Sequence, residues 1–133
     1  MSITTATQTL LDAHLATVSG IPSIQTENTR FTDVEAPWVR TTLLPALSAL
    51  QTVGANAVRK YMGIYQVDVI YPEDVGFAPG RTMADAVVAA FPIGLFLTDG
   101  TITVQIEMAT AMSALPLLTF TYIPVQIQWA VYA

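Results

Sequence analysis

Along the segment Tyr61 to Pro72 apolar residues hold every second position almost without a break, the signature of one long β-strand. Its odd positions, Tyr61, Tyr65, Val67, Val69 and Tyr71, form an apolar set that should line a core. The opposite face carries Gln66 and Asp68 but also Met62, Ile64 and Ile70, too apolar a set for a surface that meets only water. A second covering is implied, and for so short a chain the expected cover is another subunit.

Elsewhere the pattern changes period. Ile3, Leu10, Leu11, Leu15 and Val18 fall on one helical stripe, which predicts an amphipathic helix from Thr4 to Val18. Thr5 and Gln8 have capping-box spacing, and Gly20 with Pro22 supplies the stop. The polar stretch from Ser23 to Glu35 reads as an ordered loop with room for one short strand. Trp38 to Leu44 has strand composition, limited by Pro45, and the small, uncharged run Ala46 to Ala57 reads as a flexible hairpin loop.

After an irregular loop through Glu73, Asp74, Gly76, Pro79 and Gly80, a second helix is expected over Thr82 to Phe91, with Thr82 as cap and Pro92 as terminator. Asp99-Gly100 then marks a turn into a strand, Thr101 to Met108, with Ile102, Val104, Ile106 and Met108 on one face. A last strand covers Phe120 to Tyr132. Its apolar phase switches near Pro124, as a bulge or edge position would require. Helix, strands, helix, strands is an α+β order, and it predicts a mainly antiparallel or mixed sheet of about four to five strands with two helices on one face.

Length and composition narrow the function. The 133 residues fit a single domain, 1–133. Hydrophobic residues make up 53% of the chain and charged residues only 11%, so apolar surface in excess of one core has to be buried somewhere. With a net charge of -5 and five cations, Arg30, Arg40, Arg59, Lys60 and Arg81, no basic footprint for gripping nucleic acid exists. The absence of cysteine excludes disulfides, thiolate nucleophiles and cysteine metal sites. The N-terminal Met-Ser-Ile-Thr-Thr lacks the basic and apolar regions of an export signal, which predicts a cytoplasmic product. The uncharged stretch after Glu107 is long enough to span a membrane, but Pro116, Pro124, Gln126 and Gln128 interrupt it with strand periodicity, so no membrane helix is expected.

Candidate chemistry is sparse. His14, the single histidine, stands beside the first helix's apolar stripe with no partner for base catalysis, and reads as packing or helix surface. The pairs Asp33/Glu35 and Glu73/Asp74 read as loop solvation, without EF-hand spacing. Gly76 to Arg81 leads into a helix but lacks the ending of a phosphate-binding loop, and Arg81 is expected to pair with Asp85 one turn on. No Gly-x-Ser-x-Gly elbow is present. No enzyme activity, cofactor or metal is expected. The candidate site is instead a subunit interface: Arg40, Arg59, Lys60, Met62, Ile64, Asp68, Ile70 and Arg81.

The order of an N-terminal helix, Asn28-x-x-Phe31, Pro37-Trp38-Val39-Arg40 and Gly63-x-Tyr65-x-Val67-x-Val69-x-Tyr71-Pro72, continued by Gly76, Asp85, Phe91 and Ile123-Pro124 to Trp129, resembles the tail terminator, or tail completion, proteins of long-tailed bacteriophages. That resemblance implies a non-enzymatic α+β protein of the virion tail or neck, assembled in the host cytoplasm. It implies a hexameric ring that caps the tail tube, ends elongation and joins the head connector, with DNA passing through its lumen without specific binding. Two other readings stand beside it. One is a neighbouring neck or tail-tube structural protein, which would polymerise into tubes. The other is a small-ligand binding module built on the Glu73 to Arg81 loop.

Overall fold

A computed structural model of the chain describes residues 3–26, 37–50, 59–72, 76–117 and 120–133. Two helices, α1 (Ile3–Leu15) and α2 (Ala78–Ala90), accompany seven strands: β1 (Ser23–Gln25), β2 (Trp38–Leu50), β3 (Arg59–Pro72), β4 (Phe96–Thr98), β5 (Thr103–Ala111), β6 (Leu115–Leu117) and β7 (Phe120–Tyr132). All seven join one sheet in the order β1-β2-β3-β7-β5-β4, with β6 also on β7. Only β1 runs parallel to its neighbour; the other pairings are antiparallel. The α+β expectation holds, but the strand count of four to five was too low. β1, β4 and β6 are three-residue strands, too short to leave a period in the sequence.

The odd positions of β3 do form the core. Tyr65, Val67 and Val69 are buried beside Ile123, Val125 and Ile127 of β7, under Leu11 and Leu15 of α1 and Ala84, Val87 and Phe91 of α2. Three polar contacts fasten this layer. The Tyr65 hydroxyl donates to Asp12 of α1. His14 Nε2–H donates to the Ala90 carbonyl at 2.6 Å and lies edge-on to Phe91 at 4.9 Å, so the lone histidine clasps the two helices together. Arg81 Nη1 donates to the Met112 carbonyl at 3.0 Å and ties α2 to the sheet, rather than pairing with Asp85. Burial, and then the Asp12 carboxylate, push the Tyr65 hydroxyl far above the ordinary phenol range, so it remains a donor at any working pH. Tyr65→Phe is expected to cost about 2 kcal/mol, because a hydrogen bond to a carboxylate is lost. Urea denaturation measures this, and an unchanged midpoint would remove the contact from the account.

Several boundaries depart from the sequence pattern for physical reasons. α1 starts at Ile3, so Thr5 and Gln8 lie inside the helix and not at a cap. α2 starts at Ala78, a turn before Thr82. Pro79 is tolerated in the first turn, where no N–H partner is needed, and Gly80 lets that turn press onto the Tyr71 ring. β2 does not stop at Pro45: it absorbs a register shift between Pro45 and Ser48 and continues to Leu50, so the first part of the expected hairpin loop is strand. The rest of that loop, like Asn28, Arg30, Phe31, Asp33, Glu35, Glu73 and Asp74, lies outside the described residues.

A second shift, between Ile106 and Met108 of β5, reverses the phase of that strand. Met108, expected on the core face, is 46% exposed, while Ala109 and Ala111 pack inward. β7, by contrast, has no bulge: its pairing with β3 runs in unbroken register from Phe120 to Tyr132. The apparent phase switch arises because Phe120 and Tyr122 belong to the other face. Pro124 survives in this central strand because its carbonyl accepts Met112 N–H, which places its missing N–H on the side where β5 and β6 are interrupted.

Candidate functional site

The face of the sheet turned away from the helices collects six of the eight candidate residues: Arg40 from β2 and Lys60, Met62, Ile64, Asp68 and Ile70 from β3. Strand alternation puts them there, since all are even-numbered positions in register across β2 and β3. Arg59 and Arg81 are elsewhere. Arg59 is exposed at the strand end, where its backbone pairs with Ala133, and Arg81 belongs to α2 on the opposite side.

At the centre of this face a polar seam crosses three strands. Arg40 donates through Nε and Nη2 to one oxygen of Asp68, at 3.2 and 2.9 Å. The other Asp68 oxygen accepts from Gln66 Nε2 at 2.9 Å, and Gln66 in turn accepts from Gln126 of β7 at 3.5 Å. Asp68 is only 3% exposed, so the carboxylate is enclosed and its charge is met within the chain. The Arg40 side chain keeps 38% of its surface. A guanidinium that spends its Nε–Nη2 edge on one carboxylate still carries further N–H donors for another acceptor. Its carbon also lies 5.9 Å from the centre of the Tyr122 ring.

Apolar groups lie on both sides of the seam. Toward one end, Leu44, Ile64, Gln128 and Met108 form one row across four strands, with Leu44 44% exposed. Beyond them Lys60 pairs with Glu107 at 3.3 Å and sits over Tyr132, and the Glu107 hydrogen bond raises the Lys60 ammonium above its ordinary range. Toward the other end, Trp38, Ile70, Tyr122 and Leu115 form one row across four strands, with Trp38 edge-on to Phe120. Ile70 is fully buried within that row, so it has no surface to offer a neighbour and acts as a small core of its own. Two hollows indent the face: about 370 Å³ beside Gln126, Tyr122 and Leu115, and about 170 Å³ beside Met62, Ile64 and Glu107.

Leu44, Met108, Tyr122 and Gln126 were not among the expected residues. Tyr122 and Gln126 alternate out of phase with Val125 and Ile127, and that phase was readable; Met108 was hidden by the bulge before it. Among the described residues of this face no nucleophile stands beside a base. Among the described residues no three His, Asp or Glu side chains stand close enough to hold a metal. The Gly76 to Arg81 stretch is largely helix, and Pro79 removes one of the amide donors an anion would need. Among the described residues no helix is long and apolar enough to cross a membrane.

A protein-family model described as "Phage tail terminator protein" matches residues 2–129. One solved chain, 23% identical, superposes with a TM-score of 0.72 over 96% of this chain and 91% of its own. A chain from the virion of a native gene transfer agent particle, 17% identical, superposes with a TM-score of 0.64 over 99% of this chain and 98% of its own. At these identities the two structures establish likeness of fold. No curated protein sequence matches the chain.

Proposed function

Because the chain belongs to the phage tail terminator family, we propose that it is a structural virion protein that forms a homohexameric ring on the end of the tail tube. The family match over nearly the whole chain carries this reading. The ring caps the tube, stops its elongation and offers the surface on which the head connector docks, while DNA passes through its lumen. Termination is steric: the ring completes one polymer interface and presents no further copy of it. The face opposite the helices supports the reading, since Leu44, Ile64 and Met108 leave apolar surface that a subunit contact would cover. A net charge of -5 suits a lumen that does not hold DNA.

Electron microscopy and size-exclusion chromatography of the purified protein, alone and with tail tube protein, test this. Rings that cap tubes are expected. Tubes of indefinite length would identify a tail-tube component instead, and a monomer that ignores tubes would end the proposal. In the same assay Ile64→Asp should abolish rings while the monomer stays folded by circular dichroism, because Ile64 is half-buried on the open face. Loss of the folded monomer would place Ile64 in the chain's own core.

A further inference from the structure

We infer that the open sheet face receives the outer stripe of α2 from a second copy of this chain, with the neighbour's Asp85 on Arg40. This rests on the ring reading and names the contact that builds it. The argument starts from Arg40. Its side chain keeps 38% of its surface on a face whose flanks are apolar, and covering those flanks strips water from the guanidinium donors that Asp68 does not take. An occupant must therefore bring an acceptor, best a carboxylate, between two apolar groups.

The chain carries such a surface on its opposite side. Phe77 and Ile93 are 78% and 77% exposed, one at each end of α2. Between them Thr82, Asp85 and Ala89 point outward at helical spacing, and Asp85 makes no ion pair among the described residues. Phe77 precedes the first residue of α2 and Ile93 follows its last by three residues, so Asp85 stands between two exposed apolar groups. On the receiving face Leu44 lies four residues along β2 from Arg40, about 13 Å, and the centre of the Tyr122 ring lies 5.9 Å from the Arg40 guanidinium carbon. Of the described Asp and Glu side chains, Asp12, Asp68, Asp99 and Glu107 are each held within the chain, by Tyr65, Arg40, backbone N–H groups and Lys60, which leaves Asp85 as the carboxylate that a second copy can bring to Arg40.

Two open faces packed on each other would not serve. Their described carboxylates, Asp68 and Glu107, are already held by Arg40 and Lys60, so neither Arg40 would meet a carboxylate not already paired. Helix stripe and sheet face lie on opposite sides of one molecule, so their contact is head-to-tail. It repeats in one direction and closes into a ring when the rotation between copies allows.

The test uses the cysteine-free chain. Asp85→Arg, on the solvent side of α2, should leave the monomer's melting curve unchanged and weaken ring formation about tenfold or more by analytical ultracentrifugation. Thr42→Cys, beside Arg40 on the open face, combined with either Thr82→Cys or Ala89→Cys, one turn to each side of Asp85, should give an oxidant-induced ladder of covalent oligomers in one of the two pairs, which also fixes the direction of the helix. Each single-cysteine variant should stay uncrosslinked. Rings of Asp85→Arg as stable as the wild type, ladders in neither pair, or dimers of Thr42→Cys alone would each overturn the inference while leaving the ring intact. A wild-type chain that never forms rings would overturn the ring reading, and the inference with it.

Discussion

Gly63→Val is expected to destabilise the fold by about 3 kcal/mol, a large share of a margin that is usually about 5–15 kcal/mol. Gly63 sits in β3 between Pro45 of β2 and Trp129 of β7, with its missing side chain on the core face. A Cβ there would stand 2.6 Å from the Leu44 carbonyl oxygen, 2.8 Å from the Trp129 ring and 3.1 Å from the Pro45 Cα. The ring could swing aside, but two of the three obstacles are backbone. They belong to the stretch where β2 shifts register, so relief means breaking that irregular pairing. Urea denaturation followed by tryptophan fluorescence reports the loss directly, since Trp129 is one of the displaced groups. Gly20→Ala is the contrast: nothing lies within 4 Å of its Cβ position, and only the strain of φ +77° remains, about 1 kcal/mol. Equal losses at the two sites would show that strand approach at Gly63 is looser than its contacts require.

Gly63 also shows where sequence reasoning reached and where it stopped. The long strand was legible because apolar residues hold every second position from Tyr61 to Tyr71 with one gap at Gly63, and β7 was legible from the alternation of Val125 to Val131, although its phase read as switching near Pro124. That phase also assigned Met62, Ile64 and Asp68 to one face, whereas Arg40, on another strand, stood out only as a cation suited to an interface. The glycine inside the pattern carried no comparable message: its role depends on a proline eighteen residues earlier and a tryptophan sixty-six residues later. Bulges were invisible for a related reason. A one-residue shift at Pro45–Ser48 or at Ile106–Met108 is set by the partner strand, so the local sequence ended β2 too early and turned Met108 to the wrong face. The start of α2 was missed because Pro79 and Gly80 read as loop residues, whereas one fits a first helical turn and the other fits under Tyr71. Burial could not be read from alternation either, and so Ile70 was offered as a contact although its own row covers it completely.

Arg40→Met is expected to cost about 3 kcal/mol, and the way that loss is repaired separates folding from assembly. The substitution leaves Asp68, 3% exposed, with Gln66 on one oxygen and no donor on the oxygen that Arg40 served. Asp68→Leu should cost less, about 1 kcal/mol, because the stranded group is then a guanidinium that still reaches water. The double variant Arg40→Met/Asp68→Leu removes both charges and should recover most of the stability lost by Arg40→Met, as apolar replacements of enclosed ion pairs commonly do. Chemical denaturation of the four proteins gives the coupling energy. A loss below about 1 kcal/mol for Arg40→Met would mean that water already solvates Asp68. The restored double variant then becomes the sharper instrument for the subunit contact. Its fold is intact and its open face more apolar than before, so if apolar surface alone drove assembly, rings would form more readily. If the neighbour's Asp85 rests on Arg40, that carboxylate now meets a face without the guanidinium and its charge, and rings should fail although the monomer is sound. Asp68→Leu alone, which keeps Arg40 and frees its second edge, should assemble at least as well as the wild type.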